Sequence, residues 1–473
     1  MAVLSSVPVG ALPYERFEEV LEPDQWERFA QAAQRGREVL EGRVVWNVNT
    51  TARGGGVAEM LVSLLAYARG AGVNARWEVF QGNQPFFALT KRIHNNLHGS
   101  PGDGGDLGEG ERRIYDAATQ PNVEEFVHMV RPEDVVIIHD PQPAGMIPAL
   151  KELGVPVIWR CHVGLDAATP ITRKAWKFLQ PYVEHADAMV FSREAFVWED
   201  LPRQRVHLIA PTIDAFAAKN QELEPETVAA ILDVAFRDRE PSAAASFVRE
   251  DGSPDRVVRR ATVLEERELE PGDPMVLQIS RWDRLKDPLG VIRGFVEHVA
   301  PETDAHLVYA GPDVSAVADD PEGREVLDEA TAYFENLEPR ERERVHLAAL
   351  PMDDSAENAA IVNALQRRAD VVVQKSLAEG FGLTVAEGMW KARPLVASRI
   401  GGIQDQIHDG VSGVLLDDPG DLAGYGAAVT ELLGDDARRG AMGGAAKERV
   451  RDNYLGVRSL MQYLDLIGQL LSP

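Results

Sequence analysis

Two glutamates, Glu379 and Glu387, stand eight residues apart in KSLAEGFGLTVAEGMWKARPLVAS (375–398), with Gly380-Phe381-Gly382 between them and a helical pattern from Leu383. Eight residues of helix span ~12 Å, so these carboxylates do not form one acid/base pair. They read as two separate acceptors for hydroxyl groups. The Gly-Phe-Gly-Leu turn entering a helix offers backbone N–H groups and positive potential to a diphosphate. A preference for acids at a helix start would account for one glutamate but not for the glycines. Upstream, SRWDRLKDP (280–288) follows the apolar run MVLQI and carries Arg281 and Lys286. A planar guanidinium fork and an ammonium point charge are a usual pair for a diphosphate, although charged loops are more often simply solvated.

A third stretch, NVNTTARGGGVAEML (47–61), places Gly54-Gly55-Gly56 after an apolar run and before a helical pattern. Glycine permits positive φ and close approach of a ligand to the backbone. The stretch is neither a G-x-G-x-x-G fingerprint nor a phosphate loop followed by Lys-Ser/Thr. A tight strand-to-helix turn would need fewer glycines, so ligand contact is the expectation.

The elements that must hold these residues are legible as short apolar runs. VVWNV (44–48), WEVF (77–80), DVVIIHD (134–140), VPVIWR (155–160), DAMVFS (187–192) and RVHLIAP (205–211) read as strands. A second series consists of MVLQIS (275–280), AHLVYAG (305–311), RVHLAAL (344–350), DVVVQKS (370–376), PLVASR (394–399) and SGVLLDD (412–418). Most are apolar on both faces, as in a covered parallel sheet, and helical patterns alternate with them. The expected organisation is a Rossmann-like domain over 1–212, a helical connector over 213–270 and a second Rossmann-like domain over 271–452. An amphipathic helix near 453–473 returns to the first domain. In such sheets ligands bind at the carboxyl ends of the strands, where all three stretches lie.

Composition bounds the partners. With 75 acidic against 49 basic residues the formal net charge is −26, which argues against nucleic acid or an anionic membrane. The single cysteine, Cys161, allows no internal disulfide and fits a reducing compartment. No basic region followed by a long apolar core opens the chain, and no apolar run reaches ~18 residues. A cytoplasmic protein is expected. No D-x-D metal motif is present.

The E-x7-E spacing after Lys375-Ser376, the R-x4-K loop before it and the glycine loop of the first half together resemble the retaining nucleotide-sugar glycosyltransferases of the two-Rossmann GT-B fold, family four. VWNVNTTARGGGVAEML, HDPQPAGMIP (139–148) and WRCHVGLD (159–166) further resemble the trehalose glycosyltransferring synthases within it. The resemblance covers nearly the whole chain. It implies an α/β fold of two facing Rossmann-like domains with parallel sheets and a deep interdomain cleft.

It also implies roles. Arg281 and Lys286 would bind the donor diphosphate and stabilise the leaving group. Glu387 would accept hydrogen bonds from ribose, and Glu379 from the transferred glucose beside the Gly380, Phe381, Gly382 and Leu383 backbone. Gly55 and Gly56 would approach the donor phosphate and the acceptor. His162, directly after the apolar VIW and Arg160, would touch the donor glucose rather than serve as a core histidine. Asn49, Asp140, Gln142 and Arg160 are further candidates for acceptor hydroxyls, in loops where such residues also cap helices. The implied reaction is transfer, with retention, from NDP-glucose to free glucose, giving trehalose. No cofactor is required and Mg²⁺ is stimulatory at most, with no protein-bound site. A homodimer is implied as well.

The nearest rival is a trehalose phosphorylase, with free phosphate in place of the diphosphate; Glu387 favours a nucleotide. A trehalose-6-phosphate synthase would need extra cations in its acceptor pocket, where only Arg53 is close. A lipid or protein glycan acceptor would go with a basic or amphipathic patch, against the charge of −26. A non-catalytic sugar-nucleotide sensor would lack Glu379, Arg281 or Lys286, and all three are present.

Overall fold

In the computed structural model, which describes residues 4–52, 55–237, 239–314 and 321–472, fourteen of the sixteen strands described lie in two seven-stranded sheets and the other two form a short hairpin. The chain divides into two units, Met1–Thr212 with Gly456–Pro473, and Ile213–Leu455.

The first unit holds β1 (Ser5–Val7), β2 (Val45–Asn49), β3 (Ala75–Val79), β4 (Val135–His139), β5 (Val157–Cys161), β6 (Ala188–Phe191) and β7 (Val206–Leu208). Their order is β1-β3-β2-β4-β5-β6-β7, parallel throughout except for β1, which runs antiparallel along β3. The two-residue period of a strand divides their side chains between two cores. Trp46, Val48, Val136, Ile138 and Trp159 join one cluster. Val45, Val135, Ile137 and Ile158 join the other, where the amphipathic helix Gly456–Leu471 seats Leu466 and Ile467. That helix belongs to this unit because its apolar stripe covers a sheet face that would otherwise meet water.

The second unit holds the hairpin of β8 (Ser246–Val248) and β9 (Pro254–Arg256), then β10 (Thr262–Leu264), β11 (Met275–Ile279), β12 (His306–Pro312), β13 (Val345–Leu350), β14 (Val371–Gln374), β15 (Leu395–Ser398) and β16 (Val414–Leu416). The sheet order is β10-β13-β12-β11-β14-β15-β16, with β10 antiparallel to β13 and the rest parallel. One face packs Val276, Leu307, Tyr309 and Val373 against Val291, Ile292 and Phe295 of the helix Pro288–His298.

The 213–270 segment departs from the expected helical connector. It contains one helix, Pro225–Phe236, followed by the β8–β9 hairpin and by β10, which extends the second sheet. Its polar, charged sequence conceals these strands because they are three residues long and lie at an edge or in a hairpin, where a strong apolar alternation is not required.

In each sheet the strand order reverses once. The reversal falls between β2 and β4 in the first unit and between β11 and β14 in the second. Loops leaving adjacent strands at such a point diverge to opposite faces and open a crevice between them.

Candidate active site

In the second unit the two loops at the reversal are those after β11 and after β14, and they bring Lys286 and Glu379 together. The Lys286 ammonium donates to the Glu379 carboxylate, with the two side chains 15 % and 12 % exposed. Ser376 Oγ lies 3.4 Å from the same carboxylate oxygen. The Lys286 loop is pinned from below. Gln278 on β11 donates to the Lys286 carbonyl at 2.8 Å and accepts from the Lys375 backbone N–H at 3.2 Å, while the Leu377 N–H reaches the Leu285 carbonyl at 2.7 Å.

Lys375, fully buried, pairs with Asp287 and donates to the Pro419 carbonyl at 2.6 Å. Asp287 sits at φ 52° and caps the helix Pro288–His298 through the Gly290 N–H at 3.1 Å. A left-handed aspartate is tolerated because its short side chain satisfies local backbone groups. Lys375 and Asp287 were not among the expected site residues; the signal available was a lysine directly after the buried strand Val371–Gln374.

Gly382 caps the helix Leu383–Trp390 at φ 81°. A Cβ there would lie 3.1 Å from Ile403 Cγ1 and 3.2 Å from Glu379 Cγ, so both backbone and space call for glycine. Gly380 accepts from the Gly402 N–H at 2.9 Å. The Phe381 carbonyl takes the Gln406 amide at 2.6 Å, and its ring, nearly buried, packs against Tyr454 with centroids 5.8 Å apart. These contacts anchor the carbonyls of the turn and leave the N–H groups of the helix start as its donors.

Glu387 lies on the helix, buried, with Lys219 Nζ 3.7 Å from its Oε1. Beneath it Lys391 donates to the Glu387 carbonyl at 3.1 Å and to Asn220 Oδ1 at 2.9 Å. Burial lowers the Lys391 ammonium to about 7, partly opposed by Glu387. Glu387 and Glu379 therefore have different cationic partners and are not an acid/base pair. Arg281 does not join Lys286. Its side chain is 68 % exposed and pairs with Asp283 at 3.0 Å.

In the first unit Gly55 caps the helix Gly56–Gly70 at φ 88°, ψ 152°, a backbone region that is essentially glycine's alone. Among the described residues nothing lies within 4 Å of where its Cβ would be. The conformation requires glycine there. Arg53 and Gly54 lie outside the described residues.

At the ends of β4 and β5 the backbone is tied together by Asp140. Asp140 sits at φ 66°, its N–H reaches the Arg160 carbonyl at 2.7 Å, and its carboxylate accepts from the His162 N–H at 2.8 Å. Burial pushes the Asp140 carboxyl up to about 6, against the pull of the His162 N–H and Arg160. Arg160, 1 % exposed, donates from Nη2 to Ser192 Oγ at 3.1 Å, while its Nε and Nη1 have no partner among the described residues. The His162 ring meets His139, whose other nitrogen meets Asn47. Burial, and then the Arg160 charge, lower His139 to about 3 and His162 well below its ordinary value. Both imidazoles are neutral at physiological pH.

Gln142 opens the short turn Pro143–Met146. Asn49 has both ends of its amide engaged, accepting from Trp77 Nε1 and donating to the Thr51 carbonyl, each at 2.8 Å. Among the described residues no group of three or more His, Cys, Asp and Glu is placed to hold a metal ion, and no helix is long and apolar enough to cross a membrane.

Residues 47–198 match the family model for the trehalose synthase N-terminal domain, and 260–449 the model for glycosyl transferases group 1. The trehalose synthase of Thermococcus litoralis is 34 % identical over 433 residues, spanning 91 % of this chain and 92 % of that one. The trehalose synthase of Rubrobacter xylanophilus is 35 % identical over 443 residues, again 91 % and 92 %. A trehalose phosphorylase of Pleurotus pulmonarius is 26 % identical over 88 % of this chain but only 56 % of its own. Among solved structures, one described as trehalose-6-phosphate from E. coli bound with UDP-2-fluoro glucose superposes with a TM-score of 0.66 at 13 % identity, over 91 % of this chain and 99 % of that one. At that identity the likeness is one of fold. With two Rossmann-like sheets and full-length relatives above 30 % identity, the chain belongs to the trehalose synthase family of GT-B glycosyltransferases.

Proposed function

We propose that the protein transfers glucose, with retention, from a nucleoside diphosphate glucose to free glucose, forming trehalose and NDP. The observation that carries this reading is the pairing of Lys286 with Glu379 from the two loops at the sheet reversal. It sets a cation for a departing phosphate beside a carboxylate for sugar hydroxyls. Arg281 and Lys286 neutralise the charge that grows on the diphosphate as the C1–O bond breaks, and the N–H groups of the Gly380–Leu383 turn add to it. Glu379 holds hydroxyls of the transferred glucose, and Glu387 holds the ribose. Gly55 and Gly56 let a phosphate or sugar approach the backbone. His162 meets the donor glucose, and Asn49, Asp140, Gln142 and Arg160 serve acceptor hydroxyls.

The acceptor oxygen bonds to C1 on the face the diphosphate leaves, and its proton passes to a phosphate oxygen of the donor. The reading calls for no protein-bound metal, with Mg²⁺ stimulatory at most. It also takes the enzyme as a cytoplasmic homodimer. The net charge of −26 supports soluble sugar substrates over anionic membranes.

The test is a product assay. Purified protein is incubated in EDTA with UDP-glucose or ADP-glucose plus glucose, and in parallel with trehalose plus inorganic phosphate. Trehalose and NDP from the first mixture are expected. Glucose 1-phosphate from the second alone would make the protein a phosphorylase and remove the ribose role from Glu387.

A further inference from the structure

We infer that His139 and Asn47 fix the tautomer of His162, so that His162 offers a bare Nδ1, a hydrogen-bond acceptor, to the sugar it meets. The inference rests on the reading of His162 given above. His139 is the last residue of β4 and Asn47 the middle residue of β2, both nearly inaccessible. His139 Nε2 lies 3.0 Å from Asn47 Oδ1, and His139 Nδ1 lies 3.2 Å from His162 Nε2. The rings are 14° from parallel, with centroids 5.5 Å apart.

A neutral imidazole carries one N–H and one bare nitrogen. With the Asn47 carbonyl turned to His139, and its Nδ2 buried without a partner among the described residues, the His139 proton sits on Nε2 and its Nδ1 is bare. The contact with His162 is then a hydrogen bond only if His162 donates from Nε2. That leaves His162 Nδ1 without a proton and, among the described residues, without a partner. It accepts a sugar O–H and has no proton to deliver. His139 and Asn47 touch no reacting atom on this account; they are positioning residues. Reversing the Asn47 amide would reverse every step of the chain and turn His162 Nδ1 into a donor.

Burial first, and the surrounding charge after it, keep the two rings neutral. Arg160 on β5 disfavours protonation of both rings. Asp140 faces His162 only through the backbone N–H it accepts. Tyr463 of the C-terminal helix stands near Arg160 and Asp140 and is un-ionised, since burial raises its phenol.

The test combines a spectrum with a rescue. Protein labelled with ¹⁵N-histidine is measured at pH 7 by long-range proton–nitrogen correlation, with His139→Asn and His162→Ala used for assignment. The expected signature is an Nε2-protonated, neutral ring for both His139 and His162. A proton on His162 Nδ1, or a doubly protonated ring, would overturn the inference. In kinetics His139→Phe fills the space but offers no acceptor, and kcat falls about tenfold, the scale of one hydrogen bond. His139→Asn, smaller but with an oxygen on the Nδ1 side, is expected to recover most of that loss. A purely packing role predicts the opposite order, with Asn worse than Phe, and that order would also overturn the inference. His162→Ala separates the two layers: wild-type kcat there would remove His162 from the sugar site while leaving the spectroscopic result interpretable.

Discussion

Replacing Lys286 by alanine tests the assignment of the leaving-group charge. Its ammonium bonds to Glu379 in a setting where both side chains are mostly buried. At such a site two unit charges ~4 Å apart interact by about 4 kcal/mol with an effective dielectric near 20. If about half a charge develops on the diphosphate in the transition state, the lost attraction is about 2 kcal/mol. A lost hydrogen bond to a charged group adds about 1.5 kcal/mol. The sum corresponds to a fall in kcat of a few hundredfold. The KM for glucose should change by no more than about threefold, because the interaction strengthens only as the bond breaks. Folding stability should drop by about 1–2 kcal/mol, between the values for exposed and buried pairs, since among the described residues the Glu379 carboxylate keeps the Ser376 hydroxyl but no cation. The assay is steady-state NDP release with glucose and donor varied, alongside a urea unfolding curve. A folded Lys286→Ala enzyme with kcat within threefold of wild type would refute the reasoning.

Glu387→Gln should raise the donor KM about tenfold and leave kcat nearly unchanged, since the carboxylate is assigned to ribose and is remote in its pairing from Lys286 and Glu379; a collapse of kcat at unchanged KM would contradict that division. Gly382→Ala should cost roughly 1–2 kcal/mol through its left-handed backbone and also slow turnover, because the added methyl meets Glu379 Cγ at 3.2 Å; wild-type melting temperature and rate together would show that the turn is not constrained as described. Asp354 caps the helix Ser355–Arg368, accepting from the Ala356 and Glu357 N–H groups at 3.0 and 3.2 Å, and Arg249 holds its carboxyl down to about 2. A depressed carboxyl gives stability that is complete above about pH 4 and lost as pH falls through 2, so Asp354→Ala should cost about 1 kcal/mol in urea unfolding at pH 7 and progressively less below pH 4. A pH-independent difference would mean that the charge contributes nothing.

The strands of both sheets other than β1 and β10 were readable from the chain because a strand covered on both faces must be a short apolar run, and that is a local property. Turns needing glycine were readable for the same reason. Gly55 and Gly382 stand where the backbone takes positive φ, and no other residue does so as cheaply. The short edge strands β1 and β10 and the β8–β9 hairpin were not readable, since three residues at a sheet edge carry too little apolar pattern.

The site divides along the same line. The residue types at Lys286, Glu379 and Glu387, and the loops holding them, were evident from spacing. Which carboxylate meets which cation was not. Lys286 and Glu379 are 93 residues apart, and Lys219 and Glu387 stand in no periodic relation that would pair them. Those partners are set by the adjacency of β11 and β14 and by where the 213–224 segment runs. Likewise His139 looked like the end of a strand and Asn47 like part of another. Only the parallel registry of β2, β4 and β5 stacks them with His162 into one hydrogen-bonded chain. The sequence determined which groups were available and on what local backbone. The tertiary structure decided their partners, and so their charge and their protons, because electrostatics and hydrogen bonding act through space and depend on burial that no local stretch specifies.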